Sequence, residues 1–334
     1  MKENNNLQKN LFAAIKSKLP SHLSLPAEVA EALNISNDSA YRRIRGEISV
    51  SLEELKMLAD HFHFSIDQLL QLNEETLLFF GKAVGQQETD FLHHMQTISA
   101  HLETITQSHE KSIFCSAKDV PIFHYFNIPE LTAFKLYFWM KNIVAVPSLK
   151  EVKFRSDFAS SSFPLVARML ELYNRCPSTE IWSYETITNV LRQIDFCYYT
   201  GWFEKKQDAL MLHDQLLRLI HHIQQQAELG KKYSIQANKS NAIAGYEMYV
   251  NEVVIGDNSY LAILDQKKLV FLNHAVVNYI MTGDDHFCEI TEIYFSNLMK
   301  KSVPISSVNE KERSRFFNYM RDAILKQRER LEVQ

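Results

Sequence analysis

Eleven residues, Ser36 to Gly46 (SNDSAYRRIRG), concentrate the side chains with which a protein reads duplex DNA. Arginine bonds the guanine edge with two parallel hydrogen bonds, asparagine meets adenine in the same way, and serine or further arginine holds phosphate. On a short helix here, Asn37, Asp38, Ser39, Arg42, Arg43 and Arg45 would stand on the outer face. Ala40, Tyr41 and Ile44 are expected to lean towards a core, and Tyr41 is also counted with the DNA-facing set. Lys16 and Lys18 add two cations upstream.

Other chemistry is more thinly spread. The thirteen histidines include the adjacent pairs His93-His94 and His221-His222, and His61 and His63 flank Phe62. Neighbours on a helix point about a third of a turn apart and do not easily share a ligand sphere. The stretch GDDHFCE (Asp284, Asp285, His286, Cys288, Glu289) reads as a loop entering a helix behind capping acids, or as a metal centre on His286 and Cys288. Cys115, Cys176, Cys197 and Cys288 are far apart and form no CxxC pair, which predicts reduced, mostly buried thiols. No GxSxG, GxxxxGK, HExxH or GxGxxG motif occurs. The expectation is a protein without catalytic residues, metal or cofactor.

The arginines need two helices joined by a tight turn. Pro26 suits a first helical position, where its missing N–H costs nothing. Val29, Ala30 and Leu33 give the first helix a buried face. Asn34-Ile35 forms the turn, because asparagine tolerates the left-handed conformation. Ser36 caps the second helix, and Gly46 stops it. Ser51 then caps a third, with Glu54 completing a capping box, and a short helix over Ser65 to Leu72 closes the bundle. This order of elements resembles the Cro and λ-repressor (Xre-type) family of helix-turn-helix domains over residues 7–72. The resemblance implies double-stranded DNA as the partner, with the second helix in the major groove. Asn34 stands where members of that family usually have glycine.

Charge qualifies this reading. Residues 1–75 carry eight Lys and Arg against eleven Asp and Glu, a net of -3, and the whole chain has a net charge of -4. Neither is the signature of a generally basic nucleic-acid coat, so DNA contact must come from a local patch. The alternative is a bundle of the same shape that docks a protein, with its arginines as a solvated face.

The remaining three quarters read as mainly α with a smaller α+β portion. Gly and Pro are scarce, eight each, which favours helices over turns. Residues 77–110 read as one longer helix. Within it Phe91, Met95, Ile98, Leu102 and Ile105 follow heptad spacing after Val84, and Glu88 interrupts the pattern. That helix is either a dimerisation seam or a connector laying one face on its own body. Residues 118–230 read as mainly helical, and Ala209, Leu212, Leu216, Ile220, Ile223 and Ala227 mark one packing helix. Tyr246 to Val254, Tyr260 to Leu264 and Leu269 to Leu272 predict a small antiparallel meander. The last third resembles the phospholipase D-like sensor domains of some bacterial regulators. The only His-x-Lys, His109 to Lys111, has Ser116 where the catalytic Asp of that superfamily would stand, which implies binding without hydrolysis.

The polar first ten residues and the absence of a long apolar run predict a cytoplasmic protein with no membrane partner. The organisation expected is a helix-turn-helix domain (1–75), a connector or dimerisation helix (76–112) and a sensor domain (113–334). The function expected is sequence-specific transcriptional regulation by a bacterial homodimer that senses a small molecule or a protein effector. A protein–protein module, or an enzyme housed in the body, is the alternative.

Overall fold

The computed structural model describes residues 4–19, 23–62, 64, 77–237, 242, 244–253 and 255–333. The helix expected over Ser65 to Leu72 lies outside them, as does His63. The chain divides into two units, Met1–Leu78 and Phe79–Gln334. It is mainly α with a smaller α+β portion.

In the N-terminal unit four helices are described: α1 (Asn4–Lys18), α2 (Leu25–Leu33), α3 (Asn37–Ile44) and α4 (Leu52–Phe62). Leu11, Phe12 and Ile15 of α1 close over Val29, Ala30 and Leu33 of α2, Ala40 of α3 and Leu58 of α4. Spacings of three and four residues place each set on one helical face.

The larger unit opens differently from the helix expected over 77–110. Residues 79–85 are extended, and Phe80 exchanges backbone hydrogen bonds of 2.7 Å with Met281. Gly81 permits this approach: a Cβ there would meet the Tyr279 carbonyl oxygen at 2.9 Å. Helix α5 begins only at Glu88 and runs to Gln107, boxed at its start by Gln87 and Asp90. Glu88 is therefore not a faulty heptad position. It is an acid in the first turn, where the helix dipole favours it.

The rest of the body is a seven-stranded sheet dressed with helices. Its strands are β1 (Lys111–Ala117), β2 (Ser178–Trp182), β3 (Tyr246–Val250), β4 (Ser259–Leu264), β5 (Lys267–His274), β6 (Asn278–Thr282) and β7 (Val303–Pro304). Their order is β6-β5-β4-β1-β2-β3-β7. β1, β2 and β3 are parallel, with Cys115 opposite Glu180 and Glu180 opposite Met248. β4, β5 and β6 form the antiparallel part. The predicted meander is thus corrected: β3 joins the parallel strands, and β1 and β2 stand between it and β4. Those two strands are buried on both faces and lack the alternation that marks a half-exposed strand.

One face of the sheet carries α6 (Ile122–Tyr125), α7 (Pro129–Phe138), α8 (Phe163–Asn174), α9 (Thr188–Tyr199), α10 (Lys206–Leu229) and α12 (Glu310–Val333) with α5. The apolar stripe of α10 is fully buried, and the helix ends on Gly230 in the left-handed region, φ 66°. The other face is covered by α11 (Asp285–Lys300), where Phe295 and Cys288 pack on Ile181, Leu261 and Val270.

Candidate nucleic-acid interface

The turn between α2 and α3 forms as its residues dictate. Asn34 sits at φ 52°, ψ 48°, the left-handed conformation, and its N–H bonds Glu31 O at 3.1 Å. Ser36 is extended, and its Oγ accepts from Ser39 N at 3.3 Å, starting α3. After α3 the chain reverses at Gly46, φ 77°. Ser51 and Glu54 then complete the expected capping box, with Glu54 N on Ser51 Oγ at 3.2 Å and Ser51 N on Glu54 Oε2 at 3.1 Å.

With helical residues spaced about 100° apart, Asn37, Asp38, Tyr41, Arg42 and Arg45 fall within an arc of about 140°. All five are exposed. Ala40 is fully buried and Ile44 half-buried, so the inward stripe runs 40, 43, 44. Tyr41 lies one residue off that stripe and is 49 % exposed, which corrects the expectation that it turns inward.

Arg43 is on the stripe and does not join the outer face. Its side chain is 14 % exposed and grips Glu54 (20 % exposed) with two hydrogen bonds, Nε to Oε2 at 3.1 Å and Nη2 to Oε1 at 2.7 Å. Its Nη1 also donates to Ser39 O at 3.2 Å. The Arg43 hydrogen bond holds the Glu54 carboxyl below its ordinary pKa. Arg43 therefore locks α3 to α4, and Ser39, half-buried, accepts at its Oγ from the Ser36 hydroxyl at 3.0 Å. Of the upstream lysines, Lys16 is exposed on α1, and the side chain of Lys18 lies outside the described residues.

The two outer arginines share one carboxylate. Glu47 lies 3.6 Å from Arg42 Nε and 3.2 Å from Arg45 Nε, all three side chains being about half exposed. Exposed pairs of this kind are worth about 0–1 kcal/mol, so exchanging Glu47 for a phosphate costs little. A further positioning residue has no local sequence signal. Gln8 of α1 donates from Nε2 to Arg43 O (2.6 Å) and Ile48 O (2.8 Å) and accepts from Val50 N at 3.2 Å. It ties the end of α3 and the following loop to α1.

The body holds a second concentration of polar groups, on the face of β2 that meets α6 and α8. The fully buried Glu180 accepts from Trp182 Nε1 (2.8 Å), Tyr246 OH (3.1 Å) and Tyr173 OH, and bonds His124 Nε2 at 2.9 Å. Burial pushes the Glu180 pKa up, but the charge of His124, with hydrogen bonds from His124 and Tyr173, outweighs it and holds the carboxyl at about 2. Nearby, Lys232 donates to Tyr173 O at 2.6 Å, and burial lowers its pKa to about 7.

The candidate metal residues are placed otherwise. Asp284 Oδ1 accepts from Phe287 N at 2.8 Å, capping α11, and Cys288 is buried beneath that helix. Lys111 of the His-x-Lys donates to the carbonyls of Thr106 (2.6 Å) and Ser108 (3.0 Å) at the end of α5. Among the described residues, no group of three or more His, Cys, Asp or Glu is placed to hold a metal ion. No helix among them is long and apolar enough to cross a membrane.

Residues 21–107 match the model of the BetR domain family. This places a helix-turn-helix-like DNA-binding domain in the N-terminal region. The match continues past the first unit through the extended segment and the whole of α5. No curated protein and no solved structure matches the chain.

Proposed function

We propose that this protein is a sequence-specific transcriptional regulator that lays α3 in the major groove in the manner of the Cro and λ-repressor (Xre-type) domains. The observation that carries this reading is the outer face of α3, where Asn37, Tyr41, Arg42 and Arg45 stand together behind a left-handed turn at Asn34. Asn37 and the arginines have the donor and acceptor geometry for base edges, and either arginine can hold phosphate once released from Glu47. Ser39, Arg43 and Gln8 keep the helix in place. The body senses an effector, and the protein works beside the DNA in the cytoplasm.

A two-fold dimer would read half-sites about 34–36 Å apart. The inner face of α5 does not favour pairing through the heptad residues. Phe91, Met95, Leu102 and Ile105 are buried in the body's own core with Ile98 against them, so another surface must serve. The acidic balance of residues 1–75 favours a second reading, in which the same bundle docks a protein.

A fluorescence-anisotropy titration with genomic and randomised duplexes at two salt concentrations separates the two. Arg42→Ala/Arg45→Ala should weaken duplex binding by about 10–100-fold and reduce the salt slope by about 2. A wild type that binds no duplex even at low salt would overturn the DNA reading in favour of the protein-docking one.

A further inference from the structure

Between α5 and the antiparallel half of the sheet lies a cavity of about 430 Å³. It is within the range of small-molecule sites, about 300–1,000 Å³. Its walls are mostly apolar: Phe91, Ile98 and Leu102 of α5 face Ala262 and Phe271 of the sheet, with Met169 of α8 beneath. Every one of these residues belongs to the body.

The polar groups of the lining narrow what the cavity can take. Lys118 pairs with Asp257 at 3.2 Å, and Asp119 pairs with Lys135 at 3.1 Å, so these charges are already answered. Asn258 is likewise spent on the backbone of Asp119, at 2.9 and 3.0 Å. His94 and His101 both have their pKa lowered by burial and present neutral rings at pH 7. Trp139 contributes its ring to the wall, but its indole N–H is itself buried and is not open to the cavity.

We propose that this cavity is a binding site for a neutral, largely apolar small molecule. This rests on the sensing role proposed above and gives that role a place and a ligand class. Charged ligands are disfavoured because no unpaired charge of the described lining would compensate their desolvation. The position fits a sensor. α5 supplies one wall and lies inside the segment that matches the DNA-binding family. His94, His101 and Tyr279 also line a smaller adjoining cavity of about 330 Å³, whose other wall is the extended segment through Gly81 and Gly85. That segment is the covalent connection to the N-terminal unit.

The probe is prodan, a neutral naphthalene with one ketone, whose emission shifts to the blue in apolar surroundings. Titrated into the full chain without DNA, it should bind saturably at one site per chain with a blue shift. Ala262→Phe, which fills the cavity, should abolish that binding, and Ile98→Phe does the same from the opposite wall should the first variant not fold. Non-saturable uptake by the wild type, or binding unchanged in both filled variants, overturns the proposal. Duplex titration of the same samples keeps the two questions apart, because failure to bind DNA leaves the prodan result standing and failure to bind prodan leaves the DNA result standing.

Discussion

In the N-terminal unit Arg42 and Arg45 share one half-exposed carboxylate, Glu47, whereas in the body Glu180 is fully buried and bonded by four side chains. Exposed pairs are weak and readily exchanged, which suits side chains that must leave one partner for another. A buried carboxylate with all its donors in place is costly to disturb, which suits a scaffold. Arg43 stands between the two regimes. By sequence it belongs with the arginines of α3, but its burial against Glu54 makes it part of the frame. Charge type therefore does not identify function here, and exposure does.

The largest expected effect lies at Glu180. Glu180→Ala leaves His124, Tyr173, Trp182 and Tyr246 without their shared acceptor and should destabilise the body by about 3–5 kcal/mol. All three tryptophans (139, 182, 202) are in the body, so their fluorescence during urea unfolding follows this unit alone. The pH dependence has a definite sign. The Glu180 pKa is depressed to about 2 in the fold, so its contribution is complete above the ordinary value of 4.5. It is lost as the pH falls from there through 2, and the variant should lack that component of acid sensitivity. A variant as stable as the wild type would break the contrast between the two units.

A smaller effect is expected at Arg43. Arg43→Ala should destabilise the N-terminal unit by about 1–2 kcal/mol through loss of its paired hydrogen bonds. Hydrogen exchange of α3 and α4 amides in the full chain would read it. At a temperature where the unit stays folded, duplex affinity should change far less than in Arg42→Ala/Arg45→Ala. Equal losses of affinity would return Arg43 to the DNA-facing set.

The smallest effect is at Glu47. Glu47→Gln removes the carboxylate that holds Arg42 and Arg45 and, on the proposed DNA reading, should raise duplex affinity about threefold at low salt. Competition anisotropy against the wild type measures it. A fall in affinity would mean that Glu47 orients the arginines and does not merely occupy them.

Much of the helix-turn-helix was legible because its signals are local. The conformation at Asn34, the Ser36 cap, the reversal at Gly46 and the Ser51–Glu54 box each depend on groups within about four residues of one another. The face of α3 was legible less completely. Periodicity separates two sides of a helix, but the border residues Tyr41 and Arg43 fall on sides that only the packing against α2 and α4 decides. In the body, β1 and β2 were hidden because strands covered on both faces carry no alternation.

What the sequence determined by itself is a capped pair of short helices with arginines on the second, a long amphipathic α10 and the antiparallel strands after Asn258. These follow from hydrogen bonds and repeats that close within a few residues. What the tertiary structure alone decided is which arginine is free, where the buried carboxylate finds its donors, and that a cavity opens beside α5. Glu54 is 11 positions from Arg43, Gln8 is 42 from Val50, and Glu180 is 66 from Tyr246. Residue types announce that such partners are needed, but only the fold of the whole chain brings them within hydrogen-bonding distance.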